Sequence, residues 1–149
     1  MVLSDQLAKM YATGPRVSPT AYVPNPGLAL GTFRAPPIVL VLGGVMVLAL
    51  FLAVIGRWAV QVGISPIIPG VIAGGSLANA LDRAEFGAVR DFISTPWLVI
   101  DVGDIAIIAG IFALAVALAW RVYQLRASSQ TITLDVRTLR ARVVPLRAG

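Results

Sequence analysis

From Pro37 to Gly56 the chain reads PIVLVLGGVMVLALFLAVIG, 20 residues with no charge and no polar face. As a helix this run rises about 30 Å, the thickness of a bilayer's hydrocarbon core, and it predicts a membrane span over 37–56. Charge is absent again from Ala59 to Leu81, where Pro66 and Pro69 interrupt the first half, so a second span is predicted over 65–82. Gly74, Gly75, Ser76 and Ala78 on that segment would let a neighbouring helix approach closely. A third span is predicted over 96–120, with Trp97 at one interface and Trp120 and Tyr123 at the other. Its last sixteen residues, Ile105 to Trp120, carry no charge and would rise about 24 Å, which leaves Asp104 just inside the boundary opposite the C-terminal tail.

The flanks differ from this core. Residues 1–36 hold Pro15, Pro19, Pro24, Pro26, Pro36, Gly14, Gly27 and Gly31, and read as an irregular extracytoplasmic segment with a strand or two. They are too polar to span and have no signal peptide's hydrophobic region. Six of the twelve basic residues, Arg121, Arg126, Arg137, Arg140, Arg142 and Arg147, follow the last apolar run, so residues 121–149 read as a cytoplasmic tail. Within it Thr131 to Val136 alternates, which predicts loose structure or contact with the membrane surface. The fold expected is one membrane domain over 1–149, an all-α bundle of three spans with the loop 82–95 outside.

Composition narrows the chemistry. The chain is 58% hydrophobic and 13% charged, a balance that belongs in lipid. The net charge of +5 does not point to nucleic acid, because the basic residues follow a span rather than forming a stripe on a soluble face. With no Cys and no His, disulfides, thiol nucleophiles and imidazole bases are excluded. Carboxylates or a Ser/Lys pair remain, and the single lysine, Lys9, has no spacing that ties it to a serine.

Five of the seven acids fall between residues 82 and 104: Asp82, Glu85, Asp91, Asp101 and Asp104. Acids at a membrane boundary are costly and mark a polar site or pathway. Two carboxylates in a poorly hydrated site share a proton, one acting as acid while the other draws a proton from water. Asp91 and Asp104 are placed for that work. The residues alone equally allow Asp101 and Asp104 to be helix N-terminal acids and Asp91 a solvated loop acid. Arg83 and Arg90 can pair with these acids or meet anionic lipid headgroups, and Asn79 lies one helical turn from Arg83.

Around these residues the sequence resembles the lipoprotein signal peptidase (type II signal peptidase) family. Gly74 to Arg83 (GGSLANALDR) is similar to its GGxxGNxxDR motif, with Ala78 at the second glycine position, and Gly87 to Ile93 (GAVRDFI) to its GxVxDF block. Asp101 to Asp104 (DVGD) stands where the family has NxAD. Upstream, Asp5 to Lys9 (DQLAK) resembles DQxxK, and Asn25 to Ala29 (NPGLA) resembles NxGxA. The resemblance implies a membrane aspartyl endopeptidase that needs no metal or organic cofactor and removes signal peptides from prolipoproteins carrying a lipid-modified Cys. It sets Asp91 and Asp104 as the catalytic pair and Asn25, Asn79 and Arg83 as residues that hold the site or position substrate. Asp5 and Lys9 would support the outer surface, and a small extracytoplasmic platform would contain β-strands.

Departures from the family pattern accompany this. Asp101 and Gly103 replace the family's Asn and Ala, so an added carboxylate stands nearly one turn before Asp104. Family members have four spans, the first running into DQxxK, whereas Met1 stands four residues before Asp5. Two other function classes therefore stand beside the peptidase: a catalytically impaired relative that binds lipoprotein precursors or supports a membrane complex, and an ion- or proton-coupled transport component. Transport predicts acids at mid-membrane, and here they crowd one end.

Overall fold

The computed structural model describes residues 1–14, 22–28 and 33–143, with side chains described as far as Ser128. The chain is mostly helical, and its strands form three two-stranded antiparallel ladders among the described residues. Met1–Leu114 and Ala115–Gly149 are separate compact units. The second consists of the rest of the last helix, where the rings of Trp120 and Tyr123 stack at 5.7 Å, and of residues 144–149, which lie outside the described residues.

In the first unit, α1 (Val2–Thr13) turns Asp5 and Lys9, four residues apart, to one buried face. The N-terminal segment is thus not irregular throughout. The Pro- and Gly-rich composition that suggested so begins only at Gly14, after a stretch free of helix breakers. Strands β1 (Val23–Asn25), β2 (Gly27–Leu28) and β3 (Phe33–Arg34) follow, with β2 and β3 paired.

Pro37 opens α2 (Pro37–Phe51) at the position where a missing N–H costs nothing. A π-helical turn, Leu52–Gly56, carries it into α3 (Arg57–Gln61), and together they form a 25-residue helix long and apolar enough to cross a membrane. Gly63, at φ 82°, reverses the chain in the left-handed conformation that glycine adopts freely. Helix α4 (Ile67–Phe86) returns and ends at Gly87, φ 75°, whose N–H donates to the Arg83 carbonyl.

Beyond Gly87, β4 (Val89–Asp91) pairs with β1, and β5 (Ile93–Ser94) and β6 (Val99–Ile100) form a hairpin closed by Thr95 and Leu98. The last helix, α5 (Val102–Val143), contains the second candidate span, Val102–Ser128. It starts at Val102 rather than near Pro96, because Pro96 and the 90% exposed Trp97 lie in the hairpin turn and the Asp101 carboxylate supplies the helix cap. Thr131 to Val136, read as loose or surface-bound, is helical backbone within α5; the side chains of Arg137, Arg140 and Arg142, and Arg147 altogether, lie outside the described residues. Among the described residues, two helices rather than three meet the length and apolarity of a span, since α4 carries Asn79, Asp82, Arg83 and Glu85 in its second half.

Glycines set how closely the helices meet. A Cβ at Gly75 would lie 2.5 Å from the Gly103 carbonyl oxygen, and one at Gly110 2.5 Å from Ile72 Cγ1, so α4 and α5 touch backbone to backbone near the start of α5. At the other side of α4, a Cβ at Gly74 would lie 2.5 Å from Met1 Cβ, which fixes the approach of α1.

Candidate active site

The hairpin β5–β6 joins the acids that sequence separates. Phe92 N–H donates to the Ile100 carbonyl, so the chain leaves at Asp91 and returns at Asp101, one step before α5. Carboxylate oxygens of Asp91, Asp101 and Asp104 accordingly lie within 4.8 Å of one another.

Each of the outer two is held by an asparagine amide. Asn25 and Asp91 stand diagonally across the β1–β4 ladder, where Val23 opposes Asp91 and Asn25 opposes Val89, within reach of each other on one face. Asn25 Nδ2 donates to Asp91 Oδ2 at 2.9 Å, while Asn25 Oδ1 accepts the Gly27 N–H at 3.1 Å. On α4, Asn79 Nδ2 donates to Asp104 Oδ1 at 2.8 Å, and Asn79 Oδ1 accepts from Lys9 Nζ at 3.2 Å. In both amides the oxygen is already taken, so the NH₂ is the group turned to the acid. Arg83 ties the two supports together: Nη2 donates to the Gly27 carbonyl and Nη1 to the Asn79 carbonyl at 3.1 Å. Two buried polar atoms keep no partner among the described residues, Asp91 Oδ1 and Arg83 Nε.

Burial is the main cause that pushes the Asp91 carboxyl up, to about 7, with the charges of Asp104 and Asp101 adding and the Asn25 amide opposing. An acid at that value is half protonated near neutral pH, the condition of a general acid/base pair.

Asp5 and Lys9 lie inside the protein, not on its outer surface: both side chains are 0% exposed. Lys9 Nζ meets Asp5 Oδ2 at 2.8 Å, Asp82 Oδ2 at 3.1 Å and Asp101 Oδ2, in addition to Asn79. Burial favours the neutral amine, but these carboxylates outweigh it and raise the lysine above its usual range. Asp5 Oδ1 accepts the Gly103 N–H at 2.8 Å, which anchors α1 to the start of α5, and burial raises its carboxyl. Asp101 has its oxygens on Lys9 and on the Asp104 N–H at 2.7 Å, so it is both an ion-pair partner and the N-terminal cap. The spacing of Asp91, Asp101 and Asp104 would suit a cation, yet all three already have donors from the protein.

Gln6, Asp82 and Arg90 complete this network; the sequence pointed to Arg90 as a partner for the clustered acids, Asp82 among them, but gave Gln6 no role. Arg90 Nη2 donates to Asp82 Oδ1 and to Gln6 Oε1, both at 2.9 Å, and its guanidinium lies 4.2 Å above the Phe86 ring. Gln6 Nε2 donates to Asp82 Oδ1 at 2.9 Å. The signal was present in the DQxxK and DR blocks, whose Gln and Asp meet here. Glu85, the fifth acid of the cluster in sequence, is exposed on α4 and takes no part.

A cavity of about 520 Å³ opens beside the acids. Asn25, Asn79, Arg83, Asp104 and Ser76 are its polar lining, and the rest is mostly apolar residues of α2, α4 and α5.

A family model described as Signal peptidase (SPase) II matches residues 1–120. The chain belongs to the signal peptidase II family. A lipoprotein signal peptidase of Methylobacterium sp. (strain 4-46) is 38% identical over 84 residues, 52% of this chain and 50% of that protein. One from Beijerinckia indica subsp. indica is 35% identical over 97 residues, covering 60% and 58%, and one from Pelotomaculum thermopropionicum 35% over 101 residues, covering 65% and 64%. The chain therefore spans between half and two thirds of the length of these curated relatives. Its fold is that of a bacterial membrane enzyme solved by the in meso method, with a TM-score of 0.59 at 18% identity over 79% of this chain and 82% of the other. The blocks that carry the family resemblance are those that converge in space: DQxxK on α1, NxGxA on β1 and β2, the glycine- and Asn-containing motif on α4, and the two acids on β4 and α5.

Proposed function

We propose that this membrane protein is an aspartyl endopeptidase that removes signal peptides from lipid-modified prolipoproteins, cleaving before the diacylglyceryl-Cys. The observation that carries this is the pairing of Asp91 and Asp104, whose carboxylate oxygens lie within 4.8 Å of each other, each accepting from an asparagine amide, with Asp104, Asn25 and Asn79 lining an apolar cavity. Family membership supports the substrate class.

In the mechanism proposed, one carboxylate of the pair takes a proton from water as its oxygen attacks the scissile carbonyl, while the protonated partner donates to the carbonyl oxygen. The tetrahedral intermediate collapses as the carboxyl that took the water's proton passes it to the nitrogen, the C–N bond breaks, and a hydroxyl of the intermediate returns its proton to the other carboxylate, which restores the singly protonated pair. Asn25 and Asn79 hold the acids in register, and Arg83 holds both asparagine supports.

The placement in the membrane follows from helix direction. We read α4 as a third span packed between α2 and α5, its charged face turned inward. Pro37, the Phe86 end of α4 and Val102 all lie at the end of the bundle that carries the site. With Arg57 near the end of the 25-residue helix opposite Pro37, the positive-inside rule supports a site at the extracytoplasmic face of the bacterial inner membrane.

The test is complementation: the chain is co-expressed with a prolipoprotein in cells lacking their own processing enzyme, and loss of the signal peptide is followed. Processing by the wild type and none by Asp91→Asn or Asp104→Asn is expected. Full processing by either variant removes that acid from the mechanism.

A further inference from the structure

Helix α2 contains two adjacent glycines, Gly43 and Gly44, in the middle of a span otherwise built from large aliphatic residues. Glycine inside a helix costs about 1 kcal/mol relative to alanine, so the pair is unfavourable for the helix itself. Close packing does not account for it. A Cβ at Gly75, Gly103 or Gly110 would run into a neighbour at 2.5–3.0 Å, whereas a Cβ at Gly43 or Gly44 would meet no heavy atom within 4 Å. Both glycines border the cavity beside the acids, on the α2 face formed with Leu40, Val47, Leu48 and Phe51.

Their depth is set by two close approaches between α2 and α4. A Cβ at Gly87 would lie 3.8 Å from Pro37 Cγ, and one at Gly56 would lie 3.6 Å from Pro69 Cβ. The two antiparallel helices are thereby aligned so that Gly43 and Gly44 lie across from the turn of α4 that carries Asn79 and Ala80, which line the same cavity. The notch is thus level with the amide that holds Asp104. Arg83, 7% exposed, borders the same space, and its buried Nε has no partner among the described residues.

We propose that the Gly43–Gly44 notch is a specificity determinant of this site: it makes room beside Asp104 for one bulky aliphatic group of the substrate. The proposal rests on the peptidase reading. The group is an acyl chain of the lipid-modified Cys or a branched side chain just before the scissile bond, and the two sources are separable by experiment.

The full chain in detergent is compared with Gly43→Ala, Gly44→Ala, Gly43→Leu and Gly44→Leu. The probes are fluorescent lipopeptides with long or acetyl-length acyl groups, each made with leucine or alanine before the Cys. Binding and cleavage are both measured. The alanine variants, whose added methyl points into open space, should be at least as heat-stable as wild type and show that the helix tolerates substitution. The leucine variants should bind the bulky probe roughly tenfold or more weakly, the scale of one to two methylenes in an apolar pocket. Recovery with the acetyl-length probe assigns the notch to the acyl chain, and recovery with the alanine probe assigns it to the side chain. Leucine variants that bind all probes as wild type does would overturn the proposal. Wild-type binding without cleavage would instead overturn the peptidase reading and leave the binding comparison as the test of the notch.

Discussion

Asn79 hands the charge state of Lys9 to Asp104: its Oδ1 accepts from Lys9 Nζ at 3.2 Å and its Nδ2 donates to Asp104 Oδ1 at 2.8 Å. The amide has no freedom to flip, because the reversed orientation would point NH₂ at an ammonium and an oxygen at a carboxylate. Asn79→Asp keeps the shape but replaces the donor with an acceptor facing Asp104. Loss of cleavage by at least about a hundredfold is expected, the scale of a general acid–base contribution. Cleavage of a lipopeptide in detergent checks it, with circular dichroism to confirm the helical content.

Lys9 compensates three buried carboxylates, Asp5, Asp82 and Asp101, and its removal leaves them facing one another. Lys9→Met is expected to destabilise by about 3–5 kcal/mol, the cost of breaking a buried pair from one side. Asp101→Asn in the same chain removes one of the stranded charges and should recover part of that loss. A double-mutant cycle on unfolding in detergent measures it; strictly additive losses would mean that Lys9 and Asp101 do not act on each other.

Asp101 stands where family members have asparagine, and its place in the structure limits what it does. One oxygen caps α5 through the Asp104 N–H and the other faces Lys9. An asparagine keeps the cap, so Asp101→Asn should retain cleavage within about tenfold and cost about 1 kcal/mol or less in α5 capping, whereas Asp101→Ala loses the cap, worth about 0.5–2 kcal/mol. If Asp101→Asn is as inactive as Asp104→Asn, the added acid is part of the reaction.

The long apolar runs and the clustering of acids were legible in sequence because period, length and charge act locally. The predicted spans 37–56 and 96–120 overlap the two helices long and apolar enough to cross a membrane, Pro37–Gln61 and Val102–Ser128. The role of Asp5 and Lys9 was not legible: an i,i+4 pair of opposite charge reads as an exposed helix surface, and only the approach of α4 and α5 from the other side buries it. The start of α5 was misplaced for a related reason. Pro96 and Trp97 fit a span's boundary by composition, but the four strand residues of the β5–β6 hairpin are too short to show a period of two. The joining of Asp91 to Asp101 depends on that hairpin, so the motifs pointed to the pair before any local pattern explained its geometry.

Close approach of α4 and α5 at Gly75 positions Asp104. A Cβ there would meet the backbone oxygen of Gly103 at 2.5 Å and Ile107 at 3.0 Å, and backbone cannot move aside as a flexible side chain can. Gly75→Ala should therefore displace the start of α5, with a stability loss of about 1–3 kcal/mol from overpacking and a fall in cleavage. For the melting temperature, Gly43→Ala, where the space is open, is the matched control. Equal melting temperatures for the two variants would refute the packing argument.

Asp91 gives the site a pH signature. Its carboxyl is pushed from 3.8 up to about 7, chiefly by burial. Because the folded-state value lies above the unfolded one, the stability that the protonated form contributes is fully present below 3.8 and is lost as pH rises through about 7. Thermal unfolding in detergent should then show a melting temperature that declines over this window, and Asp91→Asn, which does not titrate, should flatten the decline. Activity should share the upper limb: a pair that needs one proton loses it as Asp91 ionises, so kcat falls above about pH 7. A wild-type rate that stays constant through that region, with an Asp91→Asn melting profile that still declines as steeply, would show that another group carries the proton.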